Sequence, residues 1–413
     1  MYSFKDISSI NPEFLPSLSS LSVSKKISDK DNENSLFSYN IPYPRFSLGF
    51  QYYYHQTKDK MELTQEFTNK KKVYWVFNLF DKNIDDYNED LNNTSIQYFN
   101  LKNSQLKLSF YKLWEINMMF NLISLDSDFK SIHFSDNLEP SIQSVLFYFN
   151  KFSKISKNKY YGYNLNIYKQ KQIGKELNDK NIIIKSIDDL LKEKNIEKTL
   201  NKLEKDADLI ITDGKVGIDN NNVEEQGNFK LLLIEIIMSL NSLKKNGNLV
   251  LRIYESFTDP TVKLLYLLNS FFDELYIYKP LTSRLSSSEK YIIGKKYKPN
   301  NNLIKNLLNI FDESNKSINL DKYIVDIYTK YNIPSDYLDY ITKINSDIAN
   351  KQFKQINLMI DFINQQNYRG EVYNVRRDLQ INSSKFWINS FFIDPKNLSS
   401  SLSTFSNFVN NKK

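Results

Sequence analysis

Between residues 131 and 297, short runs rich in β-branched and aromatic residues alternate with longer apolar runs. This alternation constrains the fold more than any other feature of the chain. Seven of the short runs have the composition of β-strands: SIHFSD, YYGYNLN, NIIIKS, DLIITDG, NLVLRIY, ELYIYK and EKYIIGKKY. Three longer runs between them have helical spacing: PSIQSVLFYFNKF, NFKLLLIEIIMSLNSLKKNG and PTVKLLYLLNSFF. Strands that alternate with helices predict an α/β fold, with a mostly parallel sheet and helices on both of its faces.

Proline and glycine positions support this assignment. Pro140 falls in the first turn of the first helix, and Gly247 is predicted to close the second. The last two strands are joined only by residues 279–289, which is too short for a helical crossover. We therefore expect the seventh strand to run antiparallel to its neighbours.

The segments on either side lack this alternation. Residues 1–70 are rich in Ser, Asn and Asp and predict an extended arm that wraps the body, whereas Val73–Phe80 predicts a strand and Leu106–Ile123 a helix. Beyond residue 298 the runs NLIKNLLNIF, YLDYITKINSDIANKQFKQINLMIDFINQQ and KFWINSFFI predict helices. The expected organisation is an N-terminal arm and accessory segment (1–104), an α/β domain (105–297) and a helical C-terminal domain (298–413).

Composition excludes several kinds of chemistry. The 413 residues include no cysteine, so disulfides, thiolate catalysis and zinc–thiolate sites are excluded. His55 and His133 are far apart, and each is interpreted as a packed or surface residue rather than a metal ligand. The N-terminus has no secretory signal pattern and the longest apolar runs are too short to span a bilayer, so we expect a soluble intracellular protein. A net charge of +7 is compatible with a polyanionic partner.

Charged and polar residues converge on one edge of the predicted sheet. In an open parallel sheet, ligands bind at the carboxyl ends of the strands. The residues expected there are Ser135, Asp136 and Asn137 after the first strand, Asn164 and Asn166 at the second, Asp188 and Asp189 after the third, Asp213 after the fourth, Arg252 within the fifth, Glu289 at the start of the seventh, and Lys112 on the preceding helix.

Each of these residues also has a structural interpretation. Asp213 is equally explained as a turn former before Gly214, and Lys112 as a solvated helix lysine. Arg252 is harder to explain in this way, because a charge inside an apolar strand needs a partner. Glu289 or Asp213 would supply that partner.

The loop KPLTSRLSSSEKYIIG places charged residues at the entrance of a predicted strand. Arg284, the serines Ser286 to Ser288 and Glu289 precede the last strand directly. A plain connection needs no charged residue at that point. The loop therefore indicates a functional site.

Three segments together resemble a known family. DLIITDG, LKKNGNLVLRIY and ELYIYKPLTSRLSSSEKYIIG, in this order and spacing, resemble the RrmJ/FtsJ-type RNA ribose 2′-O-methyltransferases, and in particular the FtsJ-like methyltransferases of large cytoplasmic DNA viruses such as African swine fever virus. The resemblance implies a Rossmann-like methyltransferase sheet of seven strands with the last antiparallel. It also implies S-adenosylmethionine as cofactor, RNA and especially capped mRNA as partner, and a cytoplasmic location in a viral factory or virion.

The resemblance also implies a catalytic tetrad of Lys, Asp, Lys and Glu. Lys112 matches the first lysine, Asp213 the aspartate and Glu289 the glutamate, whereas Arg252 occupies the position of the second lysine. Lysine of depressed pKa can accept a proton from the ribose hydroxyl, but arginine cannot. This departure weakens the prediction of catalysis.

A second departure concerns the cofactor loop. The family has a glycine-rich loop after the first strand, whereas this chain has SDNLEPSIQS, in which Glu139 would repel the methionine carboxylate of the cofactor. The acidic residue usual after the second strand is also missing. The resemblance leaves as cofactor-binding candidates Ser135, Asn137, Asn166, Asp188 and Asp213.

Two functions therefore stay open. One is an active mRNA cap ribose 2′-O-methyltransferase. The other is an inactive subunit of the same fold that binds RNA, or stimulates a partner capping enzyme alongside other capping or transcription subunits. The two departures favour weak or absent cofactor binding. A nucleotide-binding dehydrogenase is disfavoured, because no G-x-G-x-x-G motif follows any predicted strand.

Overall fold

In this computed structural model the described residues are 16–21, 28–29, 36–42, 44–45, 48–64, 76–102, 105–153, 157–165, 179–186, 196–215, 221–327, 331–366 and 370–411. The strands are β1 (Ser17–Ser20), β2 (Ser28–Asp29), β3 (Phe37–Ser38), β4 (Lys130–Ser135), β5 (Lys159–Asn164), β6 (Ile182–Ser186), β7 (Ala207–Asp213), β8 (Leu243–Ile253), β9 (Phe272–Lys279), β10 (Lys290–Tyr297), β11 (Tyr323–Ile324) and β12 (Tyr331–Asn332). The α-helices are α1 (Leu48–Asp59), α2 (Leu91–Phe99), α3 (Leu108–Phe120), α4 (Leu138–Phe152), α5 (Ile196–Lys202), α6 (Glu224–Ser242), α7 (Asp259–Phe271), α8 (Asn301–Ser314), α9 (Ser335–Asn364), α10 (Glu371–Phe391) and α11 (Leu398–Asn410).

The central feature is an eight-stranded sheet in the order β1-β9-β10-β8-β7-β4-β5-β6. Strands β8, β7, β4, β5 and β6 are mutually parallel. Strand β10 lies between β8 and β9 and runs antiparallel to both. The α/β class, the seven predicted strands and the reversed last strand are therefore confirmed.

The eighth strand is an addition that the sequence did not reveal. Ser17–Ser20 pairs antiparallel with β9, in a register that places Ser17 opposite Lys279. Other described parts of the N-terminal segment also pair with distant partners, since β3 pairs with β11 and β2 with β12. Such short strands carry too few residues to show a two-residue periodicity.

Both faces of the sheet are covered by helices. One face packs against α6, α7, α8 and the first half of α9. The opposite face packs against α3 and α4, and the C-terminal helices α10 and α11 pack over α3. Trp114 of α3 and Trp387 of α10 are fully buried there, and the Trp114 indole donates to the Phe391 carbonyl at 2.9 Å. The C-terminal helices thus share the two cores of the sheet, and the boundaries expected at residues 105 and 298 stay a prediction.

Three local predictions were wrong or incomplete. The described part of the predicted strand Val73–Phe80 forms turns, because Val76 and Phe77 pack against α9 instead of pairing with a strand. Helix α6 ends at Ser242, and Gly247 lies inside β8, where a Cβ would come within 2.8 Å of the Ala207 carbonyl oxygen. Residues Leu48–Asp59 form a helix that packs on α9, although the arm was expected to be extended.

Within the described part of the chain, no helix combines the length and the apolar character that a membrane span requires.

Candidate active site

Four charged side chains from four different elements meet at the carboxyl edge of the parallel strands. They are Lys112 of α3, Asp213 at the end of β7, Arg252 near the end of β8, and Glu289 immediately before β10. Because β10 runs antiparallel to β8, its first residues lie beside the last residues of β8, and Tyr291 is the register partner of Arg252. Strand reversal therefore carries Glu289 to this edge. We call these four residues the charged cluster.

Two ion pairs and one longer contact hold the charged cluster together. The Lys112 ammonium pairs with Glu289 Oε2. Arg252 Nε lies 2.5 Å from Asp213 Oδ1, and Arg252 Nη2 donates to the Asp213 carbonyl at 3.0 Å. Arg252 Nη1 lies 3.9 Å from Glu289 Oε1, which links the two pairs. Arg252 thus has both of the partners that the sequence offered for it, and two cations and two anions alternate within one contact network.

The serine-rich loop before β10 holds Glu289 in place. The Ser283 hydroxyl donates to Glu289 Oε2 at 3.0 Å, and the Glu289 amide donates to the Ser287 hydroxyl at 3.2 Å. The buried Lys279 ammonium donates to the carbonyls of Ser287 and Glu289 at 2.6 and 2.8 Å. The loop therefore places one carboxylate at the sheet edge with little freedom to move.

The charges in the cluster shift one another's protonation. Burial raises the pKa of Glu289, but Lys112 and Arg252 lower it more, and the net pKa falls to about 2. Burial raises the pKa of Asp213 to about 6, although Arg252 opposes that shift. Burial lowers the pKa of Arg252, but Asp213 raises it more strongly, so Arg252 stays charged. Of the two acids in the cluster, Asp213 is therefore the one whose pKa lies nearer to neutrality.

Two buried acids near the cluster were missed in the sequence. Glu235 of α6 accepts the Gly214 amide at 2.9 Å, and burial raises its pKa to about 8. A Cβ at position 214 would lie 2.6 Å from Glu235 Oε1, so a side chain there would displace the Glu235 carboxyl. Glu115 of α3 is also fully buried. In the sequence, Glu235 is the single charged residue in the apolar run LLLIEIIM, and Glu115 is the single charged residue in LWEINMM. A charge inside such a run indicates a buried side chain that needs hydrogen-bond partners.

Glu115 ties the site loop to two helices. Its carboxylate accepts the Tyr278 hydroxyl at 2.6 Å, the Leu281 amide at 2.7 Å and the Trp387 indole at 2.8 Å. These donors come from β9, from the loop after it and from α10. Burial raises the pKa of Glu115 to about 7. This carboxylate therefore fixes the start of the loop that ends at Glu289.

Replacing Glu115 with glutamine is expected to destabilise the protein by about 1–3 kcal/mol at pH 5, because the amide brings two N–H donors where the protonated carboxyl has one O–H, and the surrounding groups are themselves donors. The folded-state pKa of Glu115 is raised, so its contribution to stability is present at low pH and is lost as pH rises towards about 7. The deficit of the variant should accordingly shrink between pH 5 and pH 8. Urea unfolding at both pH values measures this, with the exposed Glu313→Gln as control. An equal deficit at the two pH values would contradict it.

At the carboxyl end of β4, the predicted cofactor residues are held by contacts within the protein. The Ser135 hydroxyl accepts the Asn137 amide at 3.0 Å. Lys107 donates to Asn137 Oδ1 at 3.2 Å and pairs with Glu139 Oε2 at 2.8 Å. The negative charge of Glu139, which was expected to repel a methionine carboxylate, is thus offset by a neighbouring ammonium group.

The other residues predicted at this edge are only partly within the described residues. Asp136 Oδ2 accepts the Lys215 amide at 2.9 Å and so links the ends of β4 and β7. Asn166 and Asp188 lie outside the described residues. The structure therefore brings the four catalytic candidates together and places Ser135, Asn137 and Asp213 on one edge, and it leaves the two remaining cofactor candidates as predictions.

The reversed last strand and the parallel order of the other six predicted strands form a Rossmann-like α/β fold, with the charged cluster at the carboxyl edge of its sheet. Residues 143–297 match the family described as FtsJ-like methyltransferase. Asp213, Arg252 and Glu289 lie inside the matched residues, and Lys112 precedes them.

Known proteins with similar sequences include cellular and viral ones. The cap-specific mRNA (nucleoside-2′-O-)-methyltransferase 1 of Dictyostelium discoideum is 29% identical over 38% of this chain and 20% of its own length. Probable methyltransferase EP424R of African swine fever virus is 40% identical over 21% of each chain. Protein R383 of Acanthamoeba polyphaga mimivirus is 25% identical over 79% of this chain and 78% of its own. The chain thus spans about a fifth of the length of the first two relatives.

Proposed function

We propose that this protein is an S-adenosylmethionine-dependent RNA methyltransferase that modifies a ribose 2′-hydroxyl of capped mRNA. The proposal is supported by the match of residues 143–297 to the FtsJ-like methyltransferase family and by the similarity to a cap-specific mRNA methyltransferase. The observation that carries it is the charged cluster, in which Lys112 pairs with Glu289 and Arg252 with Asp213. A cluster built from four separate elements, with Lys112, Asp213 and Glu289 buried, is a costly arrangement unless it is used.

The cofactor would supply an electrophilic methyl group. Its amino-acid end carries one ammonium and one carboxylate, and the end of β4 presents groups of both signs. Asp136 would receive the ammonium, and Lys107 with Asn137 would receive the carboxylate. The chemistry of these groups fits the cofactor even though the loop lacks glycine.

The remaining steps belong to the charged cluster. Lys112 and Arg252 would orient the ribose hydroxyl and stabilise the charge that develops on its oxygen. Arg252 cannot accept the hydroxyl proton, and Glu289, with a pKa near 2, is a poor acceptor. The Asp213 carboxylate has a pKa of about 6, close to neutral pH, and is therefore the group in the cluster best matched to accept the hydroxyl proton. Asp213 would take the hydroxyl proton as the 2′-oxygen accepts the methyl group, while the bond between that methyl carbon and the cofactor sulfur breaks and S-adenosylhomocysteine leaves.

Methyl transfer to defined RNAs tests this proposal. Purified protein would be incubated with radiolabelled S-adenosylmethionine and capped RNA whose first nucleotide carries a free 2′-hydroxyl. We expect label in that RNA and none in a matched RNA already 2′-O-methylated at that nucleotide. Equal labelling of both RNAs would show that another atom is modified. Labelling of uncapped RNA at the same rate would show that the protein does not require a cap.

A second candidate function is a non-catalytic subunit that binds RNA or supports a capping enzyme. The specific observation in its favour is Arg252, whose guanidinium is held by Asp213 and cannot act as a base. If this second candidate is correct, the wild-type protein binds RNA, and calorimetry detects no binding of S-adenosylmethionine to it. The Arg252→Lys variant would also show no methyl transfer. Micromolar cofactor affinity, about −8 kcal/mol, together with methyl transfer would exclude this candidate.

A further inference from the structure

A second concave site lies next to the charged cluster. A cavity of about 320 Å³ opens between residues 77–81, the loop 279–285, α9 and α10. Ser283 lines it and also donates to Glu289 at 3.0 Å. Leu108, which lines it as well, lies one helical turn before Lys112. The cavity therefore adjoins the charged cluster, where a reacting group would bind.

Buried hydrogen bonds hold the cavity walls in place. Gln355 of α9 donates to the Phe77 carbonyl at 2.9 Å, and Gln380 of α10 donates to the Asn78 carbonyl at 3.0 Å. On the other wall, Glu115 accepts the Leu281 amide at 2.7 Å. Walls fixed by buried polar side chains do not collapse easily, so the cavity is preformed, as ligand sites usually are.

The lining combines apolar surface with positive charge. Its apolar members include Phe77, Phe80, Leu285 and Leu358. The cations that line it are Arg284, Lys351, Lys354 and Arg376, and burial lowers the pKa of a fifth basic residue, Lys279, to about 7. Asp81 is the acid among the described lining residues. Arg376 also stacks over the Phe77 ring at 5.0 Å. A ligand that suits this lining has a flat apolar part and a negative part.

We propose that this cavity binds one nucleotide, with its base against the apolar walls and its phosphate at the cations of α9 and α10. Bases stack on aromatic and apolar surfaces whatever their identity, and lysine and arginine neutralise phosphates. The source we infer is an RNA strand whose adjacent ribose reaches the charged cluster, and this part rests on the proposed function. The volume suits a single nucleotide unit, since small-molecule sites span about 300–1,000 Å³.

Neighbouring arginines on α10 provide a matched test. Arg376 lines the cavity, whereas Arg377 is the next residue on the same helix and is not among the lining residues. Fluorescence anisotropy with a labelled five-nucleotide RNA should show about tenfold weaker binding for Arg376→Glu, with a salt slope lower by about 0.7. Arg377→Glu should bind nearly as the wild type does. Equal losses in both variants would overturn the proposal, because they would indicate a diffuse charge effect.

A second measurement separates RNA from a free nucleotide and checks the apolar half of the site. Leu358→Trp should fill the cavity and weaken RNA binding without altering the net charge. Calorimetry with adenosine and guanosine monophosphates distinguishes the sources. If the wild type binds a mononucleotide but no RNA, and Leu358→Trp abolishes that binding, the cavity is a site for free nucleotides. That result would overturn the proposal that its ligand is an RNA strand. Wild-type RNA binding by Leu358→Trp would overturn the site. These assays measure binding alone, so they can fail while methyl transfer succeeds, and the reverse.

Discussion

Asp213→Asn is expected to reduce methyl transfer by roughly 10²–10⁴-fold, because it removes the carboxylate assigned to accept the hydroxyl proton. The same assignment predicts the pH dependence of the wild type. Asp213 has a raised pKa of about 6, and only its ionised form can take a proton. Activity should therefore be constant above pH 7 and fall about tenfold for each pH unit below 6.

A pH–rate profile under saturating RNA and cofactor measures this. Glu235→Gln is the matched control, since Glu235 is a neighbouring buried acid that carries no role in proton transfer here. Its pH profile should keep the wild-type inflection. If Asp213→Asn retains near-wild-type activity, or if the wild-type profile has no inflection near pH 6, Asp213 is not the proton acceptor.

Glu289→Ala is expected to have the largest combined effect on stability and activity. It leaves the Lys112 ammonium buried without its carboxylate partner, and breaking a buried pair in this way costs about 3–5 kcal/mol. It also removes the charge that positions Lys112 and Arg252, so methyl transfer should fall by about 10²–10³-fold.

A double variant separates the two effects. Lys112→Met combined with Glu289→Leu removes both charges and should recover much of the stability, yet it should stay inactive. Chemical unfolding and the RNA methylation assay provide the two measurements. The exposed pair Lys316 and Glu313, changed to alanine, is the control and should change stability by about 0–1 kcal/mol. Additive losses for Lys112 and Glu289 would mean that their contact is not an energetic pair.

The sheet was predictable because its strands have strong local patterns and the connection before Glu289 is too short for a helix. Arg252 was predictable as a site residue for a different reason. A permanent charge in an apolar strand must find a counter-charge, and its neighbours in the fold supplied Asp213 and Glu289.

Other features depend on contacts that local patterns do not encode. Glu115 binds three donors from segments more than 160 residues away, so its role becomes visible only in the folded chain. The apolar run around Val76 and Phe77 has strand-forming composition, but packing against α9 determines its conformation. The offset of Glu139 by Lys107 was also invisible, since the two residues are 32 positions apart.

The strand Ser17–Ser20 has a consequence for how the protein is made. It is held by β9, by Lys351, which donates to the Ser17 hydroxyl at 2.7 Å, and by Tyr340, which donates to the Ser20 carbonyl. Ser17 and its partner Lys279 are about 260 residues apart, so at about 5–20 residues per second the first segment leaves the ribosome roughly 13–50 s before its partner does. During that interval the segment has no edge to join. Docking of this strand is therefore a late step of folding, and until it occurs the edge of β9 stays open to pairing with other chains.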